Sequence, residues 1–255
     1  MEAEAVNKQD LDTPCMIVDR AKMADNIKRY QAIANEAGIA LRPHAKTHKT
    51  PQIARMQIEA GAVGVTVAKL GEAEVMADGG VRNIVIAYPV VGREKLERLV
   101  RLAERVELAV ACDGYEVAEG ISNAALQAGI VVNVWVEVDP GYGRVGVLPG
   151  RSLELLAQSL VSLKGIRVTG VLVFAGHSYD AERDEQRKEI AASEAAIAVG
   201  AAKTLRGFGF PVETISAGST PVSRFASSMS GVTEIRPGTY VFGDLTQVKA
   251  KALSI

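Results

Sequence analysis

Short runs rich in β-branched residues alternate along the chain with longer stretches in which apolar residues recur every three to four positions. This alternation is typical of βαβ units, whose strands lie parallel to one another. Each apolar run is predicted to be a strand, and each longer stretch is predicted to be a helix. The predicted strands are 41–46, 63–69, 83–88, 107–112, 131–139, 170–176, 214–218 and 234–242.

The first helices have readable ends. Asp19 is a favoured N-cap before an amphipathic segment that stops at Gly38. Thr50 and Pro51 are typical of an N-cap and a first helical position, and Gly61 predicts the end of that helix. Further helical patterns cover 93–104, 115–127, 152–163 and 182–205, with shorter ones at 72–77 and 221–229.

Eight strands with interleaved helices in 255 residues match a closed (β/α)8 TIM barrel in number and in size. The alternative is an open doubly wound sheet, which favours a G-x-G-x-x-G sequence in its first strand-to-helix turn. That sequence is missing there. We therefore predict one barrel over residues 1–244, followed by a tail at 245–255.

Composition narrows the class of protein. The formal net charge is -1, from 29 basic and 30 acidic residues, which gives no field for holding nucleic acid or an anionic membrane. Cys15 and Cys112 lie far apart and make no disulfide framework or metal cluster by themselves. No signal-peptide pattern and no apolar run of about 18 residues is present. We expect a cytoplasmic protein that acts on a small molecule.

A run of basic residues lies along the first predicted strand. Arg42, His44, Lys46 and His48 fall at spacing two, so an extended backbone would point all four to one face. If that face lines the barrel mouth, cationic crowding and partial desolvation lower the pKa of Lys46, and its free amine can form a Schiff base with a carbonyl. A solvated basic edge strand explains the same spacing, and the pattern alone leaves both interpretations open.

A second candidate feature is the small-residue segment at 216–221, which follows the seventh predicted strand. Small residues let backbone N–H groups approach an anion, and the loops after strands seven and eight form the common phosphate site of this fold. An ordinary turn is the alternative. The candidate anion ligands are Ser216, Gly218, Ser219, Thr220, Gly238 and Thr239.

Three further polar groups lie near predicted strand ends, namely His177, Arg144 and Arg236. Arg236 is predicted inside a strand, where it needs an anion, a ring nitrogen or a carboxylate such as Glu234. By contrast, Glu72 is predicted to lie on a solvated face. A reactive lysine and an anion site on one rim suggest a phosphate-bearing aldehyde, and pyridoxal 5'-phosphate (PLP) fits that description.

Several motifs resemble one enzyme group: LDTP at 11–14, RPHAKTHK at 42–49, GHSY at 176–179, GSTP at 218–221 and RPGTY at 236–240. Together they resemble the D-threonine aldolase group, which includes 3-hydroxy-D-aspartate aldolase and eukaryotic-type D-serine dehydratase. These are PLP enzymes of the alanine racemase-like class, also called fold type III. The resemblance extends from about residue 11 to residue 247 and implies an alanine racemase-type barrel.

The resemblance also implies roles for single residues. Lys46 would form the Schiff base with PLP, His177 would pack against the pyridine ring, and Arg236 would lie near the ring nitrogen. Arg144 would lie near the phenolic oxygen or the substrate. Ser216, Gly218, Ser219, Thr220, Gly238 and Thr239 would hold the phosphate, and His44 and Tyr240 complete the expected cofactor-binding set.

The implied reaction is retro-aldol cleavage of a D-3-hydroxy amino acid to glycine and an aldehyde. Three alternatives stay open: a D-3-hydroxy amino acid dehydratase, a non-catalytic single-domain PLP carrier and an amino-acid racemase. Members of the group continue into a C-terminal β-domain that supplies ligands for a divalent metal (Mg, Mn or Zn) and closes the neighbouring subunit's site. With His44, His48 and His177 as its only histidines, the chain is expected to lack that β-domain and metal site. We also expect a homodimer that binds PLP with little turnover.

Overall fold

The structure is a computed structural model that describes residues 7–253. Within this range one sheet of parallel strands has the order β1-β8-β7-β6-β5-β4-β3-β2, and helices separate consecutive strands. The strands are β1 (Ala40–Leu41), β2 (Val65–Val67), β3 (Asn83–Ile86), β4 (Glu107–Cys112), β5 (Val132–Val138), β6 (Ile166–Val173), β7 (Thr214–Ala217) and β8 (Glu234–Ile235).

The helices begin and end close to the predicted signals. The Asp19 side chain accepts the N–H groups of Ala21 and Lys22 at the start of the first helix, and Gly38 follows its end with a φ of 65°. Pro51 opens the second helix, as predicted. The helices are α1 (Arg20–Glu36), α2 (Pro51–Glu59), α3 (Leu70–Asp78), α4 (Arg93–Ala103), α5 (Tyr115–Gln127), α6 (Arg151–Leu160), α7 (Asp184–Gly207), α8 (Thr220–Ser223) and α9 (Leu245–Lys249).

The two ends of the sheet meet and close a ring. The N–H of Val63 donates to the carbonyl of Leu41 at 2.9 Å, and the N–H of Thr66 donates to the carbonyl of Pro43 at 2.8 Å. A parallel bridge between His44 and Thr66 lies at the same place. These contacts join β1 to β2, so the predicted (β/α)8 barrel is confirmed and the open doubly wound sheet is excluded.

An apolar cluster fills the middle of the ring. Trp135 packs there with Val85, Ala109 and Leu172, and only 4% of its surface is exposed. The register of β5 against β6 shifts at Trp135, which pairs with Gly170. A Cβ atom at Gly170 would lie 2.7 Å from the indole, so glycine makes room for the ring. The space above this cluster, at the carboxyl ends of the strands, is left open for a site.

The first and the eighth strands end five and seven residues earlier than predicted because of local chemistry. The first strand ends at Leu41, since Pro43 has no N–H to donate and the N–H of Lys46 donates to Nδ1 of His44 at 3.3 Å. Residues Ala45–Thr47 form a 3-10 turn, so the predicted single face of four basic residues is wrong. The eighth strand ends at Ile235, and a second 3-10 turn follows at Thr239–Val241.

The tail packs against the barrel. The Asp244 side chain caps α9 by accepting the N–H of Gln247 at 2.8 Å. Ala252 is buried, and its carbonyl accepts the phenol of Tyr30 on α1 at 3.3 Å. No helix between residues 7 and 253 combines the length and the apolarity that a bilayer span requires.

Candidate active site

A cavity of about 260 Å³ opens at the carboxyl ends of the strands. In TIM barrels this end of the ring carries the reacting groups. Its wall contains both charged and aromatic side chains, so it can take a ligand that is partly polar and partly flat. The lining residues are His44, Lys46, Ala68, Ala87, Tyr88, Glu137, Arg144, Leu172, Phe174, Tyr179, Gly218, Ser219, Thr220, Arg236, Gly238 and Thr239.

Lys46 lies on the 3-10 turn at the cavity mouth, with its Nζ atom 5.9 Å from the centre of the Phe174 ring. Solvent reaches the side chain through the mouth. Partial burial of the amino group lowers the pKa of Lys46, and the positive charges of Arg144 and Arg236 lower it further. The free amine is therefore more populated at neutral pH than in an ordinary lysine.

The rest of the basic run is distributed over three environments. His44 lines the cavity, and burial holds the pKa of its imidazole well below the usual value. Arg42 instead forms a buried ion pair with Glu234 at 2.8 Å. His48 faces Gln57 at 3.2 Å inside the protein. The cationic neighbours of Lys46 thus come from the loop after β5 and the end of β8, and not from its own segment.

Arg236 lies directly after β8 and is buried in the cavity wall. Its guanidinium donates to Oγ of Ser216 at 2.5 Å and to the carbonyl of Val173 at 2.6 Å. The Ser216 hydroxyl in turn donates to the carboxylate of Glu234. Ser216 is not among the lining residues, and its hydroxyl is occupied in holding Arg236 in place. Burial lowers the pKa of Arg236, while Glu234 raises it.

Two loops meet at one side of the cavity and form what we call the anion cradle, residues 218–220 and 238–239. The N–H of Gly238 donates to Oγ1 of Thr220 at 3.2 Å, and the hydroxyl of Thr239 donates to the same oxygen at 3.0 Å. A Cβ atom at Gly238 would lie 3.1 Å from His44, so glycine lets the second cradle loop pack against the segment that carries Lys46.

The N–H groups of the first cradle loop point in different directions. Gly218 has a φ of 88°, and its N–H donates to the carboxylate of Glu194 at 3.0 Å, away from the cavity. The N–H groups of Ser219 and Thr220 have no acceptor in the part of the chain that the structure describes. These two lining residues are therefore able to donate to a bound anion.

Besides Ser216, two predicted site residues lie outside the cavity lining. His177 sits in a 3-10 turn, with its ring 6.5 Å from that of Tyr142. Tyr240 is buried, stacks on Tyr30 at 4.4 Å between ring centres and accepts the Gln57 amide at 2.8 Å. The described contacts of Tyr240 are those of a packed core residue.

The prediction from the sequence also did not include some residues that border the cavity. Glu137 at the end of β5 lines the cavity, and burial raises its pKa to about 7. Its Oε2 atom has no hydrogen-bond partner among residues 7–253. A lone acid within the apolar run at 132–138 is the signal that could have indicated it. Tyr179 also lines the cavity. Glu72 is buried and accepts the N–H of Ala68 at 2.8 Å, so its prediction as a solvated residue is wrong.

Across residues 7–253, no group of three or more His, Cys, Asp and Glu side chains is arranged to hold a metal ion.

The fold and the site define a class of protein. A (β/α)8 barrel with a cavity at the carboxyl ends of its strands and a lysine of lowered pKa at the mouth has the architecture of the barrel of alanine racemase-like enzymes. Residues 18–246 match the family model "Alanine racemase, N-terminal domain". The chain belongs to this family, as its sequence motifs predict.

Individual relatives agree with the family and extend beyond this chain. D-threonine aldolase of Arthrobacter sp is 36% identical over 234 residues, which are 92% of this chain and 62% of that protein. D-threo-3-hydroxyaspartate dehydratase of Delftia sp. (strain HT23) is 38% identical over 237 residues, with the same two coverages. The crystal structure of D-threonine aldolase from Filomicrobium marinum matches with a TM-score of 0.89 at 36% identity, over 95% of this chain and 66% of that one. The chain thus spans less than two thirds of the length of these curated relatives.

Proposed function

We propose that this chain is the PLP-binding barrel of a lyase of the D-threonine aldolase type, which cleaves D-3-hydroxy amino acids to glycine and an aldehyde. One observation carries the proposal. The amine of Lys46, with its lowered pKa, lies in the same cavity as the anion cradle. An aldehyde that also bears a phosphate group would engage both at once. The related proteins named above are lyases as well.

The residues present fit PLP. The cradle offers the N–H groups of Ser219 and Thr220 to a phosphate. Leu172 and Phe174 give the cavity an apolar wall for a flat ring, and Arg236 closes the far side. When bound, PLP supplies an electrophilic aldehyde and a ring that withdraws electron density from an attached amino acid.

The protein's own groups prepare the site for this chemistry. Lys46 in its free amine form is both a nucleophile and a proton acceptor. Arg236, fixed by Ser216 and Val173, presents a charged donor on the wall. The guanidinium of Arg144 lies 4.6 Å from the centre of the Phe174 ring at the mouth, where it can orient the carboxylate of an incoming amino acid. Together these groups hold a D-3-hydroxy amino acid beside the lysine.

A D-3-hydroxy amino acid dehydratase is the second candidate. The Delftia dehydratase is as similar to this chain as the Arthrobacter aldolase is. Both reactions start from the same substrate class and use the same cofactor. Product analysis with D-threonine separates them: glycine with an aldehyde supports the aldolase, whereas a keto acid supports the dehydratase.

Covalent labelling tests the proposal. PLP is added to the protein, the mixture is reduced with borohydride, and tryptic peptides are mapped. We expect the label on Lys46, no label in Lys46→Ala, and normal labelling in the control Lys69→Ala, which changes an exposed lysine. A label on another amino group, or none at all, would contradict the proposed site.

A further inference from the structure

A glycine-rich loop, residues 140–146, follows β5 and carries Arg144 to the wall of the cavity. The Arg144 guanidinium lies 4.6 Å from the centre of the Phe174 ring and 5.6 Å from that of Tyr142. Among residues 7–253 it takes part in no ion pair. The position of this charge beside the site therefore depends on the backbone that carries it.

The backbone of the loop adopts conformations that favour glycine. Gly141, Gly143 and Gly146 have positive φ values of 98°, 73° and 111°. Glycine loses more conformational freedom on folding than any other residue, so a loop with three such positions is costly to hold in one shape. Contacts from outside these glycines are needed to fix the loop.

The carboxylate of Asp139 provides these contacts. Its Oδ1 atom accepts the N–H groups of Gly141 at 2.9 Å and of Tyr142 at 2.7 Å. Its Oδ2 atom accepts the N–H of Gly143 at 2.9 Å. Asp139 is buried, with 7% of its surface exposed, and hydrogen bonds to a carboxylate are about twice as strong as those between neutral groups. One side chain thus holds the three residues that precede the arginine.

Arg144 and Lys46 lie over the same aromatic ring. The Nζ atom of Lys46 is 5.9 Å from the centre of Phe174, and the guanidinium approaches that ring as well. Burial lowers the pKa of Lys46 most, Arg144 and Arg236 lower it further, and Glu72 raises it. If the loop were released, the charge of Arg144 could move into solvent, and the amine of Lys46 would hold its proton more tightly.

We propose that Asp139 is a positioning residue that, by accepting three N–H groups of the loop, keeps the Arg144 guanidinium on the Phe174 ring beside Lys46. Asp139 is not among the residues that line the cavity, so it acts through the loop. The inference deepens the proposed function and rests on it, since it takes Lys46 as the reacting amine.

Competitive acetylation with acetic anhydride measures the protonation of Lys46 without PLP. The rate of labelling at Lys46 is followed by peptide mass spectrometry over a pH series. Asp139→Ala and Arg144→Met are each expected to slow this labelling about fivefold at neutral pH, because each removes the nearby positive charge. At high pH both should reach the parent rate. The double variant should match Arg144→Met alone, since Asp139 acts through Arg144.

The direction of the change separates positioning from a direct effect of charge. Loss of the Asp139 carboxylate removes a negative charge, which by itself lowers the pKa of Lys46 and speeds labelling. Asp139→Asn loses that charge but keeps an acceptor oxygen for the loop, so it should label at least as fast as the parent. His44 and Glu137 also titrate in the cavity wall and are unchanged in every variant.

Hydrogen exchange of the loop reports its release directly and should be faster in Asp139→Ala than in the parent. Asp180→Ala, which removes an exposed carboxylate after the turn at 176–179, is the matched control and should leave both measurements unchanged. Asp139→Ser, whose side chain is too short to reach all three N–H groups, replaces Asp139→Ala if the latter fails to fold.

Three results would overturn the role of Asp139: labelling of Asp139→Ala at the parent rate, additive slowing in the double variant, or equal slowing in Asp139→Asn. If Arg144→Met labels like the parent, Arg144 does not act on Lys46, and the inference fails as well. The proposed function is judged separately by PLP labelling. Absence of PLP on Lys46 would contradict that function while the acetylation results still describe the loop.

Discussion

The carboxylate of Glu194 on α7 accepts the backbone N–H of Gly218 at 3.0 Å. The same oxygen accepts the N–H of Ala175, also at 3.0 Å, so one side chain fixes the ends of β6 and β7. The N–H of Gly218 turns toward the helix, whereas the next two N–H groups have no acceptor among residues 7–253 and are available to a bound anion. A helix side chain outside the cavity thereby sets the geometry of the anion cradle.

Glu194→Ala should destabilise the protein more than Glu194→Gln. Alanine leaves two buried N–H groups without an acceptor, each costing about 1–3 kcal/mol, whereas glutamine keeps a carbonyl oxygen in place. Urea unfolding at neutral pH measures the difference, and PLP titration should show weaker binding for the alanine variant. Equal losses for the two variants would contradict the role of Glu194 as an acceptor.

Glu137→Gln should alter the pH dependence of stability. Burial raises the pKa of Glu137 to about 7 in the folded protein, from an ordinary value of 4.5. The stability that this group contributes is therefore present below pH 4.5 and is lost as the pH rises through 7. Relative to the variant, the parent protein should lose about 3 kcal/mol over this window.

Urea unfolding of the parent and of Glu137→Gln at a series of pH values measures this loss. Glu189→Gln, which changes an exposed acid on α7, serves as the control and should follow the parent at every pH. A constant difference between the parent and Glu137→Gln from pH 4 to pH 8 is the result that would refute the assignment.

The variant Ser216→Ala tests whether this serine supports the cavity wall or binds the phosphate. The variant leaves an N–H of Arg236 and an oxygen of Glu234 buried without a partner, so it should lower the free energy of unfolding by about 1–3 kcal/mol. Because Ser216 holds the cavity wall, PLP and pyridoxal should lose affinity together. Ser162→Ala, at an exposed position, is the matched control. A loss of affinity for PLP but not for pyridoxal, which lacks the phosphate, would instead indicate that Ser216 binds the phosphate directly.

The parts of the fold that depend on neighbouring residues could be predicted from the sequence. Asp19, Gly38 and Pro51 mark helix ends through local backbone chemistry, and the structure has helix boundaries beside all three. The strand at Glu107–Cys112 was predicted to the residue, since a turn signal borders its apolar run. The number of such units then sufficed to predict the barrel.

The parts that depend on residues far apart in the chain could not be predicted. Burial is the main cause of the lowered pKa of Lys46, and Arg144 and Arg236, which only the closed ring brings to it, lower it further. Glu194 lies on the alanine-rich buried face of α7. The sequence pattern of this face indicates that Glu194 is buried, but it does not identify the two backbone N–H groups that Glu194 accepts. The apolar pattern did not predict the early end of β1, because the His44 side chain accepts the N–H of Lys46 in place of a neighbouring strand.

The strand pairs of the ring differ in the number of residues that they pair. β1 pairs with β8 at two positions and meets β2 through two backbone hydrogen bonds, whereas β5 and β6 pair at seven positions. Local opening of a sheet needs less free energy where fewer ladder bonds must break. β8 also pairs with β7 at only two positions. The part of the ring formed by β1 and β8 is therefore expected to exchange its amide hydrogens faster than β5 and β6 do. Lys46, which we propose as the nucleophile, follows β1 and would move with this part of the ring while β5 and β6 keep their alignment.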